Sequence, residues 1–224
     1  GARAREAVRA ALGDRDDGVR GAAIHSAGLW RDRAAVTPLE AAMKSDRPAL
    51  KRSAAEALGR VGDAGAVPGL LEAAASSASD RVLEHSLTYA LIEIGDASST
   101  AAGLQATASG SRRAALIALD QIDGGRLQPA QIIPLLTSSD GVITQTAWWI
   151  ALRHPEWGSA LSEFFAERLT TVAPAERDVL ARQLTQFATF AFPFSRPAPC
   201  TLLSYAAMNS AVGDVRARTS GSSR

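Results

Sequence analysis

The chain has 224 residues, of which 46% are hydrophobic and 21% charged, a balance that is ordinary for a globular protein. Its formal net charge of +1 gives no general attraction to nucleic acids or anionic membranes, and no run of about 18 apolar residues is present to span a bilayer. The single cysteine, Cys200, excludes an intrachain disulfide, a CxxC metal site and a CxxCH haem attachment.

The first part of the chain predicts short, paired helices. Residues 2–12 place apolar side chains on one helical face, and residues 14–17 form a polar break after it. A helix is then predicted over residues 17–30, with Asp17 as its N-cap, and residues 33–44 are predicted to form its partner.

The clearest helix pair lies at residues 47–75. Apolar residues recur there at helical spacing and predict one buried face (Leu50, Ala54, Ala57, Leu58 and Val61). Gly62-Asp63 is predicted to close this first helix, since glycine accepts the left-handed backbone that a helix end often needs. Pro68 falls in the first turn of the second helix, where its missing N–H costs little. A pair this small cannot bury its own apolar faces, so it must stack on neighbours.

The same plan returns further along the chain. First helices are predicted over residues 80–95, 112–122 and 142–152, and second helices over residues 98–108, 129–137 and 156–169. In the 80–95 helix five side chains are expected to point inward (Val82, Leu83, Leu87, Leu91 and Ile94). Gly28 and Gly59 are 31 positions apart, and Pro38 and Pro68 are 30 apart. A fixed period of this length, carried by helix pairs, is typical of a solenoid.

The pattern therefore predicts an all-α fold, a right-handed α-solenoid of about five helix pairs over residues 1–170. Residues 171–190 are expected to supply a C-terminal capping helix, with one apolar side (Val179, Leu180, Leu184 and Phe187). Residues 191–224 are rich in proline, serine and arginine, and we expect them to be irregular and disordered. Because the chain begins with Gly1 and not with Met, we expect a fragment or a processed form.

The residues that carry the repeat resemble the short bacterial HEAT-like repeat of the phycobilin-lyase type. That repeat reads approximately D-x-x-V-R-x-x-A-A-x-A-L-G, followed by a Gly-Asp turn and a V-P-x-L helix. It is met by Asp17 to Ala23, by Lys51 to Gly59 with Gly62-Asp63 and Val67-Pro68, and by Arg112 to Leu119. The copy that begins at Asp80 has Glu84 where the basic residue belongs. The resemblance implies the fold of residues 1–170 and leaves the function open.

A second, shorter resemblance covers residues 147–157, AWWIALRHPEW, together with Phe164-Phe165 and Arg168-Leu169. It is similar to the end of the HEAT segment in large cytochrome-bearing dehydrogenase-like proteins of planctomycetes and their relatives. Those proteins join a sugar-dehydrogenase-like β-propeller, a HEAT segment and a C-terminal haem domain. The resemblance implies that this chain is the middle module, without either catalytic part. It also implies a periplasmic or envelope-associated location; otherwise a cytoplasmic one is expected.

Basic residues open successive first helices (Arg20, Lys51, Arg52, Arg112 and Arg113). We expect them to form a structural ladder, in which each pairs with an acidic residue at a neighbouring repeat turn and so aligns the units. The alternative is an anion or nucleic-acid track, as in HEAT-like DNA glycosylases. Residues 1–60 carry 12 basic and 8 acidic side chains, which permits such a track, but the interspersed aspartates weaken its field.

Ten of the twelve aromatic residues lie after position 147. They can form a bulkier core where the alanine-rich repeats end, or a docking surface, since Trp and Phe concentrate at interface anchors. Adjacent Trp148 and Trp149 cannot both face inward on one helix, so at least one is a candidate contact residue. The candidate interface comprises Trp148, Trp149, Trp157, Phe164 and Phe165.

No residue pattern in the sequence points to catalysis. His25, His85 and His154 have no partner at metal-ligand spacing, and no Gly-rich phosphate loop, GxSxG or HExxH is found. We predict a non-catalytic scaffold that binds a protein partner or an adjacent domain of the same polypeptide. We expect no cofactor, metal, nucleic acid or membrane insertion, and a concave binding side lined by the second helices. The alternatives are a spacer module of a multidomain haem or sugar-dehydrogenase-like oxidoreductase, a HEAT-like lyase and a nucleic-acid-binding protein.

Overall fold

A computed structural model describes residues 1–125, 127–171, 173 and 177–191. Over these residues the protein is made of α-helices and short 3₁₀ turns, with no strand. The predicted irregular tail at residues 191–224 and Cys200 lie outside the described residues, apart from Ala191 at the end of the last helix. The chain divides into two compact units, Gly1–Leu127 and Gln128–Arg224.

The first unit is a stack of helix pairs. Its described helices are α1 (Ala2–Ala11), α2 (Asp17–Leu29), α3 (Val36–Met43), α4 (Pro48–Val61), α5 (Val67–Ala75), α6 (Arg81–Ile94), α7 (Ala97–Ala101) and α8 (Ser109–Gln121). The 3₁₀ turns Arg33–Ala35 and Ala64–Ala66 lead into α3 and α5, and Ala102–Gln105 follows α7. The first helices stack in chain order, with α4 packed between α2 and α6, and α6 packed against α8. This arrangement confirms the predicted all-α solenoid.

Small residues set the distance between successive first helices. A Cβ added to Gly28 would lie 3.0 Å from the Cα of Ala57, and one added to Gly59 would lie 2.8 Å from the Cα of Ala90. Ordinary carbon contacts are 3.5 to 4.0 Å, so the two backbones leave no space for a side chain at either glycine. The 31-residue glycine period in the sequence therefore marks the contact between stacked helices.

The predicted Gly-Asp turns end two of these helices. Gly62 and Gly95 follow α4 and α6 with a φ of 71° each, the left-handed conformation expected of a glycine at a helix end. The prediction for the start of α2 is wrong by one residue. Asp16, not Asp17, is the N-cap, because its carboxylate accepts hydrogen bonds from the backbone N–H groups of Gly18 and Val19.

The core of this unit is built mainly from alanine and leucine. Fully buried residues recur along both helices of each pair, among them Ile24, Leu39, Leu58, Leu70 and Leu91. Val82 was expected to point inward but is 59% exposed. It precedes the buried Leu83 at the start of α6, and the turn of the helix directs these neighbours to different sides.

The second unit has a bulkier core than the first, and its second helices differ in length. Its described helices are α9 (Pro129–Ile132), α10 (Gly141–Arg153), α11 (Gly158–Thr171) and α12 (Arg177–Ala191), with 3₁₀ turns at Ile133–Thr137 and Pro155–Trp157. Helix α10 packs against the first of these turns and against α12. On α12, Leu180 and Leu184 are buried, whereas Val179 is 46% exposed; the side chain of Phe187 lies outside the described residues. Within the described part of the chain, no helix combines the length and apolarity that a membrane span requires.

Candidate functional site: a groove along α5

A groove of about 590 Å³ opens along α5, beside α3. Helix α3 packs mainly on α4, and α5 packs on α6 and α8, so each second helix is held by first helices. The close glycine contacts hold the first helices together, while the space beside α5 stays open on the side of the second helices.

One face of α5 forms the length of the groove. The residues that line it recur every three or four positions, which is the spacing of a single helical face (Gly65, Pro68, Gly69, Glu72, Ala73 and Ser76). Met43 of α3 and Leu83 and Leu87 of α6 lie at its base and are buried, so the apolar surface that the groove exposes comes mainly from Pro68 and Ala73. A Cβ on Gly69 would lie 3.4 Å from Glu40 Oε1, so the missing side chain keeps this part of the groove open.

Four charged side chains line the groove: Glu40, Lys44, Lys51 and Glu72. In the described part of the chain, none of these four side chains makes a hydrogen bond or an ion pair. Their charges are therefore available to a partner, and electrostatic complementarity can select one partner over another.

The basic residues of the predicted ladder occupy different environments. Arg52 Nη1 lies 3.2 Å from Asp80 Oδ2, at the start of the next first helix, and Arg113 pairs with Glu84 of the preceding one. Glu84, which departs from the repeat pattern, is thus the acidic partner of Arg113. Arg20 instead pairs with Asp17 of its own helix. Lys51 lines the groove, and Arg112 is half-buried. The alignment role of the ladder stays a prediction.

The pairing of Arg52 with Asp80 also affects ionisation. The backbone N–H of Leu83 is the main cause that holds the pKa of Asp80 below its usual value, and the charge of Arg52 adds to it. Burial lowers the pKa of Arg113, and the nearby charge of Arg81 lowers it further.

The aromatic residues of the second unit divide between core and surface. Phe165 is 1% exposed and Trp157 is 8% exposed, and the ring of Trp148 lies 5.8 Å from that of Phe165. Trp149 is 41% exposed, and the Arg153 guanidinium lies 4.6 Å from its ring centroid. Of the five residues of the candidate interface, Trp149 is thus exposed, Trp148 and Phe164 are half-buried, and Trp157 and Phe165 are buried. The interface stays a prediction.

A smaller cavity of about 430 Å³ lies in the second unit, between the 3₁₀ turn at Ile133–Thr137 and helices α10 to α12. Trp148 and Arg168 are among the residues that line it. The indole Nε1 of Trp148 is buried without a hydrogen-bond acceptor in the described part of the chain. An unsatisfied buried donor costs free energy, so this N–H destabilises the fold.

The histidines do not assemble a site. His85 stacks on Tyr89 with ring centroids 6.3 Å apart, and His154 stacks on Trp157 at 4.0 Å and contacts Glu156. Among the described residues, no group of three or more His, Cys, Asp or Glu side chains is placed to hold a metal ion.

The sequence indicated the second helices as the binding surface but did not indicate the residues that form the groove. Glu40, Lys44 and Glu72 have no motif of their own, and they come together only when α3 and α5 are set side by side. The sequence carried one signal for the groove: Gly69 and Ala73 are small residues four positions apart, on the same face of α5.

Helix pairs stacked in chain order define an α-helical repeat protein. The family model of HEAT repeats matches residues 5–92. The repeats in this part of the chain are HEAT-like.

Solved structures with a similar arrangement are distant in sequence. The complex of CpcE and CpcF of phycocyanin lyase from Nostoc sp. PCC7120 is 21% identical, with 94% of each chain covered and a TM-score of 0.46. The archaeal HEAT-like repeats protein from Thermococcus onnurineus NA1 is 12% identical, with 96% of this chain and 89% of that one covered and a TM-score of 0.49. Human deoxyhypusine hydroxylase in complex with glycerol is 15% identical, with 95% and 83% covered and a TM-score of 0.32. No curated protein matches the chain at a significant level.

Proposed function

We propose that the protein is a non-catalytic scaffold that binds a protein partner, or an adjacent domain of its own polypeptide, through the groove along α5. The observation that carries this proposal is the set of four unpaired charges along the groove. Elsewhere in the same unit, arginines at comparable positions pair with acidic residues, as Arg52 does with Asp80. Charges that the fold leaves unpaired beside apolar surface match the polar rim of a protein interface.

A site-specific cross-link tests the proposal. A photoreactive amino acid is placed at Glu72, which lines the groove and is exposed, and in a separate variant at Ala75, which is exposed on α5 outside the lining. In cells of the source organism, we expect a protein to be captured from position 72 and not from position 75. Purified, that protein should bind the unmodified chain in solution. Equal capture from both positions, or none from position 72, would contradict the proposal.

The alternative of a spacer module gives a different result. A parent sequence that carries a β-propeller and a CxxCH motif would favour the spacer of a multidomain oxidoreductase. In that case, the cross-link from position 72 would fall within the parent polypeptide.

A further inference from the structure

The groove favours a helix over an extended strand as its occupant. A strand gains affinity by hydrogen bonding to an open sheet edge, but the walls here are helices, whose backbone groups are bonded internally. The lining residues run from Gly65, in the 3₁₀ turn before α5, to Ser76, the C-cap residue of α5. At about 1.5 Å per residue this face is about 16 Å long, the length of a three-turn helix.

The small residues of the lining favour large side chains on the occupant. Gly69 and Ala73 face the groove with almost no side chain of their own, and Met43 and Leu83 lie beside them. Leucine or methionine side chains at i, i+3, i+4 and i+7 of an entering helix would fill this space.

The four charges are separated along the groove. Lys44 is the C-cap residue of α3 and Lys51 lies in the first turn of α4, so both flank the short connection between these helices. Glu40 lies one turn before Lys44, with its carboxylate beside Gly69, and Glu72 follows Gly69 on α5. The end of the groove at the α3–α4 connection is therefore basic, and its middle is acidic.

Building on the proposed function, we infer that the groove binds an amphipathic helix of about three turns, with acidic residues in its first turn and basic residues in its middle turn. This charge order complements the two lysines at the end of the groove and the two glutamates in its middle. The helix macrodipole also favours carboxylates in the first turn. Helices α3 and α5 are second helices of successive repeats and run in the same direction. The bound helix runs antiparallel to them, with its N-terminus at the lysines.

Two synthetic peptides of about 14 residues test the inference. Both carry the same leucine stripe and a fluorophore; one has Glu in its first turn and Lys in its middle turn, and the other has the two charge sets exchanged. Binding to the full chain is followed by fluorescence anisotropy at about 0.15 M salt. We expect the first peptide to bind at least about tenfold more tightly than the second, the ratio that about 1.4 kcal/mol produces.

Variants of the chain identify the site. The double variant Lys44→Glu with Lys51→Glu should bind the first peptide at least about tenfold more weakly than the unmodified chain does, and should bind the second peptide more tightly. The control, Arg3→Glu with Arg15→Glu, makes the same change in net charge at exposed positions outside the groove lining and should leave both affinities unchanged. Circular dichroism checks that each variant is folded.

Each contrary outcome removes a defined part of the account. Equal affinity for the two peptides, or an unchanged affinity in the lysine variant, would overturn the inferred charge order. Absence of binding by both peptides would overturn the inference of a helical occupant. In either case, a partner captured by the cross-link at Glu72 would still support the proposed function. If no partner is captured there, the proposed function is contradicted as well.

Discussion

Adding a single methyl group at Gly59 tests how the first helices stack. In Gly59→Ala the new Cβ would lie 2.8 Å from the Cα of Ala90 and 2.7 Å from Glu93 Oε2. The carboxylate can move, but the backbone of α6 can yield only if the two helices separate. Overpacking of this kind costs about 1 to 3 kcal/mol, whereas replacing glycine by alanine inside a helix gains about 1 kcal/mol. We expect a net loss of about 1 kcal/mol in the free energy of unfolding.

Gly21→Ala is the matched control, because Gly21 lies in the first helix α2. There the added Cβ would lie 3.8 Å from its nearest neighbour, Leu50 Cδ2, which is an ordinary van der Waals contact. This variant should gain about 0.5 to 1 kcal/mol from helix propensity. Urea denaturation, followed by circular dichroism, measures both variants. If Gly59→Ala proves as stable as Gly21→Ala, the close contact between α4 and α6 is refuted.

Three further predictions concern other parts of the molecule. Trp148→Phe removes a buried N–H that has no acceptor, so it should change the free energy of unfolding by less than about 1 kcal/mol. Trp148→Ala should lower it by about 3 to 5 kcal/mol. Equal losses for the two variants in urea denaturation would refute this. The folded-state pKa of Asp80 lies below 3.8, so its carboxylate stabilises the fold above about pH 4 and loses this effect as pH falls through the lowered pKa. Asp80→Asn should therefore flatten the pH dependence of the melting temperature in that acid range. An unchanged pH dependence would count against a lowered pKa of Asp80 in the folded state. Iodide should quench fluorescence from Trp149 and Trp30, which are 41% and 40% exposed, so their Phe variants should each lower the quenchable fraction while Trp157→Phe should not.

Much of the repeat architecture could be predicted because one periodic signal carries it. A buried first-helix stripe and its closing glycine, as at Leu58 and Gly62, depend only on local spacing and backbone conformation. The choice between Asp16 and Asp17 as N-cap could not be made in this way, since both aspartates have the required side chain. Only the backbone position of each distinguishes them.

The surface residues were harder to predict because they depend on packing between elements. Trp149 is an instructive case, since a clear signal existed. Ile143, Ala147 and Ile150 recur at helical spacing and are fully buried, which directs Trp149 away from the core. The groove had no such signal, because Lys44 and Lys51 lie on different helices and only the stacking of the pairs brings them to one site.

The central claim is that the groove along α5 is the binding surface. The affinity of the partner captured at Glu72 for two tryptophan variants, measured by calorimetry, tests it most directly. Ala73→Trp fills the groove, whereas Ala75→Trp places the same side chain on the same helix outside the lining. The account predicts a loss of at least about 100-fold for Ala73→Trp, equivalent to about 2.8 kcal/mol, and no change for Ala75→Trp. An unchanged affinity in a folded Ala73→Trp variant would contradict it.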